Sequence, residues 1–250
     1  MHRFFLSPEL TSGPVLVLAE GQAHHAIHVL RLRNHDPVVV LNGVGEELHC
    51  EVQELRRDSV TLRLIQKRVL PPLPYRLTLA QAVTKGKSMD LILQKATELG
   101  VARIVPLLAD RSVAHLEPGS AKLAKWQATT VEAIKQCGSP WLPQVLAPQS
   151  IQQFLAGGEQ VDLSLLASLQ RDTQHPRAYF DQFLAAHHHR PKSVSVWVGP
   201  EGDFTPAEVQ AIAQAGAYPI TLGPLVLRSE TAAIYCLSIL NYELQAPSPP

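Results

Sequence analysis

The sequence of 250 residues has a hydrophobic content of 46% and carries 22 basic and 22 acidic side chains. Its zero net charge argues against a protein that coats nucleic acid indiscriminately. No stretch approaches the ~20 apolar residues of a membrane span, and the apolar run at the N-terminus is too short for a signal peptide. The three cysteines, Cys50, Cys137 and Cys236, are spaced too widely for a disulfide framework or a zinc site. We therefore expect a cytoplasmic protein.

The pattern of the first 70 residues is typical of a small β-rich unit with one helix. Apolar and β-branched runs between turn signals predict strands at residues 15–18, 37–41, 48–52 and 59–65. The pair Asn42-Gly43 predicts a tight turn. Residues 21–32 have helical spacing, with His24, His28 and Arg31 on one face. That face is either a rim that contacts nucleic acid or a solvated surface.

The proline-rich residues 71–74 predict a stiff linker. We place a domain boundary there, between residues 1–72 and residues 73–250. Residues 73–136 contain nine basic and five acidic side chains. This local excess suits recognition of one structured RNA, although a difference of this size is also ordinary surface variation.

After the linker the pattern alternates between strand and helix. Residues 76–84 predict a strand, Ser88 caps the next helix, Gly100 ends it, and residues 101–107 predict another strand. A strand, a helix and a strand in this order favour a parallel sheet. A long helix and a strand follow, at residues 119–137 and 161–169.

Residues 194–222 repeat this alternation and add two glycine loops. Alternating valines predict a strand at residues 194–198, which ends at the turn Gly199-Pro200-Glu201-Gly202. Thr205 and Glu208 have the spacing of a capping box for the next helix. A second strand is predicted at residues 218–222.

The second strand leads into Gly223-Pro224 and then into polar residues from Arg228 to Thr231, where a last helix opens. Ligands of open α/β sheets bind at the carboxyl ends of the strands. The two glycine loops are therefore the predicted functional site. Neither a nucleoside-triphosphate loop nor a dinucleotide fingerprint is present.

These loops resemble the signature motifs of a known family. VGPEGDF at residues 198–204 and LGPLVLRSETAA at residues 222–233 look like those of RsmE-type 16S rRNA (uracil-N3) methyltransferases of the SPOUT superfamily. The segments RFF, HVLR, KGK, QKATELGV and DRS match as well, so the resemblance extends over nearly the whole chain. It implies an α/β fold with a PUA-like β-barrel that binds RNA, over residues 1–72. A SPOUT α/β domain with a deep trefoil knot, over residues 73–250, would bind the cofactor and dimerise.

The resemblance implies S-adenosyl-L-methionine-dependent methylation of N3 of a specific uridine in 16S rRNA, within the assembled small ribosomal subunit. The enzyme would be a homodimer that needs neither a metal nor a membrane. The implied cofactor site comprises Leu166, Val198, Gly199, Pro200, Glu201, Gly202, Leu222, Gly223, Leu227, Arg228 and Thr231. The implied RNA contacts are Arg3, His28, Arg31, Arg33, Lys85, Lys87 and Arg111.

Arg228 and Glu230 are the candidate catalytic residues. Arg228 is the only cation of the signature stretch, and a cation can stabilise the charge that leaves N3. Glu230 either orients Arg228 or takes part in proton removal; alternatively, it is an acidic residue that stabilises the first turn of the last helix. The run His187-His188-His189 has no second cluster of ligands, so no metal site is predicted.

The sequence departs from the family pattern at two places. Asp203 stands where the family usually has a second glycine, and Ser139-Pro140-Trp141 occupies a region that more often carries an arginine. Two other functions remain open. One is a ribose 2′-O-methyltransferase of tRNA or rRNA, and the other is a non-catalytic RNA-binding assembly factor.

Overall fold

The structure is a computed structural model that describes residues 1–112, 122–158, 160–169 and 172–245. The first three residues of the predicted helix at 119–137, and the C-terminal tail at 246–250 that we expect to fray, lie outside the described residues. The chain divides into two compact units. The first unit comprises Met1–Pro72 and Val131–Leu142, and the second comprises Leu73–Thr130 and Pro143–Pro250.

The first unit is built on a five-stranded mixed sheet in the order β1-β3-β4-β5-β2. Its regular elements are β1 (His2–Phe5), β2 (Val15–Ala19), α1 (Glu20–His24), β3 (Pro37–Leu41), β4 (Glu46–Arg56) and β5 (Ser59–Val69). β1 pairs with β3 in parallel, and the other pairs are antiparallel. All four predicted strands are confirmed.

The turn predicted at Asn42-Gly43 is also confirmed. It joins β3 to β4, and Asn42 Oδ1 accepts hydrogen bonds from the backbone N–H groups of Val44 and Glu46. The helix predicted at residues 21–32 is only partly correct. A π-helical turn, His25–Val29, follows the short α1, so the helix is interrupted after its first turns.

The second unit alternates strands and helices around a seven-stranded sheet. Its elements are β6 (Arg76–Ala82), α2 (Lys87–Glu98), β7 (Arg103–Leu108), α3 (Lys122–Cys137), β8 (Gln144–Val145), β9 (Gln149–Ser150), α4 (Ile151–Ala156), β10 (Leu163–Ala167), α5 (Pro176–His187), β11 (Ser193–Val198), α6 (Pro206–Gln214), β12 (Ala217–Ile220) and α7 (Ser229–Gln245). The division between the two units falls within α3.

The strands of this sheet run in the order β12-β10-β11-β6-β7-β8, and β9 also pairs with β7. All of these pairs are parallel, which confirms the parallel sheet predicted from the sequence. Leu165 and Val196 pack into the core on one face, and Leu166 and Trp197 into that on the other. Because both faces are covered, the strands are apolar almost throughout.

Of the two predicted helix caps, the one at Thr205 is confirmed and the one at Ser88 is not. The capping box of α6 is confirmed, because Thr205 Oγ1 accepts from Glu208 N and the Glu208 carboxylate accepts from Thr205 N. The predicted cap at Ser88 is wrong. α2 begins at Lys87, two residues before the start that a cap at Ser88 implies, and no side chain of the described residues caps it. The reason is Gly86, whose φ of +56° turns the chain directly from the loop into the helix.

Candidate active site

A cavity of about 350 Å³ lies at the carboxyl ends of three neighbouring strands of the second unit. The end of β10 and the loop after it contribute Ala167 and Ser168, the end of β11 and the loop after it contribute residues 198–201, and the loop after β12 contributes residues 221–227. The start of α7 completes the lining with Ser229 and Ala232. This is the edge of a parallel sheet at which ligands bind.

The loop after β11 is tightly folded around Gly199. A Cβ added to Gly199 would lie 3.0 Å from Asp203 Oδ1 and 3.1 Å from the backbone nitrogen of Phe204. Asp203 has a left-handed φ of +59°, and its Oδ1 accepts a 2.8 Å hydrogen bond from Phe204 N. Aspartate adopts this conformation more readily than most residues other than glycine. The departure at Asp203 therefore keeps the backbone turn that a glycine would allow.

The loop after β12 combines a glycine turn with apolar side chains. Gly223 has a φ of +106°, and a Cβ there would meet no atom of the described residues within 4 Å. Thr221 Oγ1 accepts a 3.2 Å hydrogen bond from Gly223 N. Leu222 and Leu227 are partly buried against the core, and both line the cavity. This wall offers apolar side chains beside the exposed backbone turn at Gly223.

A buried polar bridge joins the loop after β11 to the start of α7. Ser229 Oγ donates a 2.7 Å hydrogen bond to the carbonyl oxygen of Gly199. Gln81 Nε2 donates to Ser229 Oγ at 2.9 Å and to the carbonyl oxygen of Ala82, also at 2.9 Å. Sequence analysis did not select Gln81 or Ser229. The one available signal was a glutamine inside the apolar run of β6.

Two further contacts fasten the loop after β7 to the region of the first glycine loop. Arg111 Nη1 donates a 2.9 Å hydrogen bond to the carbonyl oxygen of Gly202. The buried Glu208 accepts a 2.8 Å hydrogen bond from Asp110 N. These contacts hold the turn from outside the cavity.

Seven of the eleven predicted cofactor residues line the cavity, namely Val198, Gly199, Pro200, Glu201, Leu222, Gly223 and Leu227. The other four do not. Leu166 is 0% exposed and packs into the core on the opposite face of the sheet, since successive side chains of a strand point to opposite faces. Gly202 lies against Arg111, while Arg228 and Thr231 are exposed outside the lining.

The predicted catalytic residues lie at the start of α7. The Arg228 carbonyl oxygen accepts a hydrogen bond from Ala232 N at 2.8 Å. The Arg228 side chain is exposed, and no described residue forms an ion pair with it. Glu230 is half-buried in the first turn of α7. Neither side chain belongs to the cavity lining.

The predicted RNA contacts of the second unit are exposed near the same edge of the sheet. Lys85 and Lys87 flank Gly86 at the start of α2. The backbone nitrogen of Lys85 lies 3.5 Å from Glu201 Oε1 of the cavity lining. Arg111 is exposed, but its guanidinium already donates to Gly202.

The predicted RNA contacts of the first unit differ in their surroundings. His28, Arg31 and Arg33 are exposed, and the His28 ring lies 4.6 Å from the His24 ring. The Arg3 guanidinium donates to the carbonyl oxygens of Lys135 and Gln136, at 3.4 and 3.2 Å. Arg3 therefore satisfies backbone groups at the C-terminal end of α3.

The described residues contain no group of three or more histidine, cysteine, aspartate or glutamate side chains that could hold a metal ion. None of the helices in the described ranges is both long and apolar enough to cross a membrane.

Comparison with known proteins identifies the family. An RNA methyltransferase domain matches residues 71–241, and an RNA methyltransferase PUA domain matches residues 18–65. The chain belongs to the RNA methyltransferase family. Similar proteins within it include ribosomal RNA small subunit methyltransferases E. The protein of Synechocystis is 32% identical over 98% of this chain and 78% of its own length. That of Bacillus subtilis is 29% identical over 98% of both chains.

Two solved structures resemble this RNA methyltransferase over its whole length. The ribosomal RNA small subunit methyltransferase E of Neisseria gonorrhoeae, bound to S-adenosylmethionine, is 27% identical and has a TM-score of 0.83, with 97% of each chain covered. A Legionella pneumophila structure that contains bound S-adenosylmethionine is 30% identical and has a TM-score of 0.85, with 96% of each chain covered. The fold of both units is therefore that of known cofactor-bound relatives.

Proposed function

We propose that this chain is an S-adenosylmethionine-dependent 16S rRNA (uracil-N3)-methyltransferase that acts on one uridine of the assembled small ribosomal subunit. Support comes from its membership of the RNA methyltransferase family and from its similarity to proteins named for the small-subunit RNA. The observation that carries the proposal is the cavity formed by the two glycine loops, at the carboxyl ends of β10, β11 and β12.

The cavity fits the cofactor in its chemistry. Val198, Leu222 and Leu227 supply apolar walls for an adenine ring, and the tight turn at Gly199 lets the backbone approach its edge closely. Glu201 and Asp203 place carboxylates in the lining, which suits the hydroxyl and ammonium groups of the molecule. When bound, S-adenosylmethionine supplies an activated methyl group.

The residues of the chain must do three things for methylation at N3. They hold N3 in line with the methyl group, which alone can lower the barrier by about 7–11 kcal/mol. They accept the N3 proton, and they stabilise the negative charge that spreads to the uracil carbonyl oxygens. We assign this last role to Arg228, whose exposed guanidinium has no ion-pair partner among the described residues.

Glu230 is assigned either the orientation of Arg228 or the acceptance of the N3 proton. The pH dependence of transfer by Glu230→Gln separates the two roles. Loss of a proton acceptor changes the pH profile, whereas loss of an orienting group lowers the rate at every pH.

RNA binding is assigned to both units. We propose that residues 1–72 form a PUA-like, partly closed barrel that grips RNA through His28, Arg31 and Arg33. Lys85, Lys87 and Arg111 would grip phosphates beside the cavity. Residues 73–250 are proposed to form the cofactor-binding and dimerising domain, with the trefoil knot of the SPOUT fold.

A homodimer in the cytoplasm completes the proposal. Tyr235 and Tyr242 lie seven residues apart on α7 and are 45% and 76% exposed. Leu225 and Val226, in the loop that lines the cavity, are 74% and 77% exposed. Apolar side chains exposed in this way are typical of a surface that a partner covers, and a second copy is the partner that we propose.

A methyl-transfer assay tests this function. Labelled S-adenosylmethionine is incubated with the chain and either small subunits that lack the modification or deproteinised 16S rRNA. We expect label in the RNA of the assembled subunits and little in free RNA. Binding of the cofactor without any transfer would instead support the non-catalytic assembly factor.

A further inference from the structure

Gln81 is an unusual residue for its position. It lies in the central strand β6, is 0% exposed, and stands between the buried residues Ala80 and Ala82. Its Nε2 donates to Ser229 Oγ, a residue 148 positions away in the sequence. Gln81 itself does not line the cavity, whereas Ser229 and Gly199 do. The side chain therefore reaches the site through Ser229.

The direction of this hydrogen-bond chain is fixed by its two ends. The carbonyl oxygen of Ala82 can only accept, so the Gln81 nitrogen must face it. The second N–H of that nitrogen points to Ser229 Oγ. Ser229 Oγ accepts this hydrogen bond, and its own hydroxyl donates to the carbonyl oxygen of Gly199. One side chain thus sets the orientation of the Ser229 hydroxyl and holds a carbonyl group of the cavity lining.

Stability alone does not account for a glutamine here. Gln81 Oε1 is buried and has no hydrogen-bond partner among the described residues. An unpaired buried acceptor costs stability, which an apolar side chain of similar length would avoid. The amide is therefore explained by its N–H donors, which maintain the link to Ser229.

We propose that Gln81 is a positioning residue for methyl transfer. Acting through Ser229, it holds the Gly199 carbonyl at the cavity and fixes the first residue of α7, directly after Arg228. This inference rests on the proposed placement of S-adenosylmethionine in the cavity. Through this contact, β6 holds the start of α7, which follows the second glycine loop, against Gly199 of the first glycine loop.

Two substitutions at Gln81 disrupt the hydrogen-bond chain in different ways. Gln81→Met keeps the length and the apolar stem but removes both N–H donors. Gln81→Glu presents carboxylate oxygens, which accept the Ser229 hydrogen and so release the Gly199 carbonyl. We expect the Kd for S-adenosylmethionine, measured by calorimetry, to rise about tenfold in Gln81→Met, a change that corresponds to about 1.4 kcal/mol. The rise should be larger in Gln81→Glu.

Single-turnover transfer at saturating cofactor and saturating subunits gives the second readout. It should also fall in both variants, because the start of α7 carries Arg228. The matched control is Thr97→Val, which removes another buried side-chain hydrogen bond, from Thr97 Oγ1 to the carbonyl oxygen of Leu93 within α2. That variant should lower the melting temperature without changing either the Kd or the transfer rate.

A double-mutant cycle identifies the route of the effect. If Gln81 acts through Ser229, the Kd changes of Gln81→Met and Ser229→Ala are not additive, and the double variant resembles Ser229→Ala alone. Additive changes would overturn the inference. So would a Gln81→Met protein that melts at a lower temperature but keeps the wild-type Kd and transfer rate.

A cavity-wall variant separates this inference from the placement of the cofactor. Leu222→Asp puts a charge on the apolar wall and should abolish cofactor binding. If it binds S-adenosylmethionine like the wild type, the cavity is the wrong site and the proposed placement fails. If it loses binding while the Gln81 variants do not, only the role of Gln81 is wrong.

Discussion

Arg111 and Gly202 are joined by a 2.9 Å hydrogen bond from Arg111 Nη1 to the Gly202 carbonyl oxygen, although they lie 91 positions apart in the sequence. A Cβ added to Gly202 would lie 3.5 Å from Arg111 Cβ, which is an ordinary contact distance. Gly202 therefore faces the arginine rather than the cavity. The side chain that sequence analysis assigned to RNA also supports the turn after β11.

This contact predicts a modest effect of Arg111 on cofactor binding. Arg111→Ala should raise the Kd for S-adenosylmethionine by about three- to tenfold, because a single hydrogen bond contributes about 0.5–1.5 kcal/mol and this one is exposed. Calorimetry measures the Kd. Arg177→Ala is the matched control, since Arg177 is an exposed arginine of the same unit whose one ion-pair partner among the described residues is Asp181. Equal affinities in the two variants would contradict a role for Arg111 in the turn.

The two glycines of the same turn should differ in their tolerance of a methyl group. Gly199→Ala brings a Cβ to 3.0 Å from Asp203 Oδ1 and 3.1 Å from Phe204 N, so the turn must shift and cofactor binding should weaken at least tenfold. Among the described residues, a Cβ in Gly202→Ala meets the Arg111 side chain alone, at 3.5 Å, so this variant should bind nearly as well as the wild type. The same calorimetric titration compares both variants. Stronger binding by Gly199→Ala than by Gly202→Ala would show that the cavity is assigned to the wrong face of the turn.

Much of the fold follows from local patterns in the sequence. Apolar runs predicted the parallel strands, and the spacing of Thr205 and Glu208 predicted the capping box that the structure contains. The position of the cavity followed from the two glycine loops, because parallel strands bring their carboxyl ends to one edge. Family resemblance then supplied the chemistry that such loops serve.

The features that sequence analysis missed depend on distant partners. No local pattern pairs Gln81 with Ser229 or Arg111 with Gly202. Leu166 packs into the core on the opposite face from the cavity, while its neighbour Ala167 lines the cavity, because a strand changes faces at every residue and the resemblance does not fix the register of β10. The packing of residues 131–142 with the first unit likewise depends on tertiary contacts that periodicity does not encode.

The three cysteines should react at different rates. Burial raises the pKa of the Cys50 thiol to about 11 and that of the Cys236 thiol to about 12. The thiolate is the form that reacts with an alkylating reagent. At pH 8, well below both pKa values, the Cys50 and Cys236 thiols stay protonated and should react slowly. Cys137 is exposed. Alkylation followed by mass spectrometry should therefore label Cys137 first, and all three should react in denaturant. Rapid labelling of Cys236 in the folded protein would contradict its burial.

Charge reversal in the first unit tests the proposed RNA contacts of Arg31 and Arg33. The double variant Arg31→Glu/Arg33→Glu should weaken binding to small subunits at least tenfold, because it replaces two attractions to phosphate with two repulsions. The Kd for S-adenosylmethionine should not change. Subunit binding is measured by cosedimentation at several salt concentrations. Wild-type binding with an unchanged salt dependence would remove these residues from the interface. Deletion of residues 1–70 is a poorer test, since residues 131–142 pack within the same unit.

Arg228→Ala should act on the chemical step. Losing one donor aimed at a developing charge costs about 2.7–4 kcal/mol of barrier, so single-turnover transfer under saturating RNA should slow about a hundredfold or more. Lysine should not restore the rate, because it cannot offer two hydrogen bonds in one plane. If Arg228→Ala weakens only RNA binding and leaves single-turnover transfer unchanged, Arg228 positions the substrate, and backbone donors or Glu230 handle the charge.

The identity of the methylated nucleoside tests the central claim most directly. Small subunits that lack the modification are treated with the chain and S-adenosylmethionine, and their 16S rRNA is digested and analysed by mass spectrometry. The proposed function predicts 3-methyluridine at a single position, formed by the wild type and lost or greatly reduced in Gly199→Ala. A 2′-O-methylated nucleoside, or methylation at many positions, would contradict it.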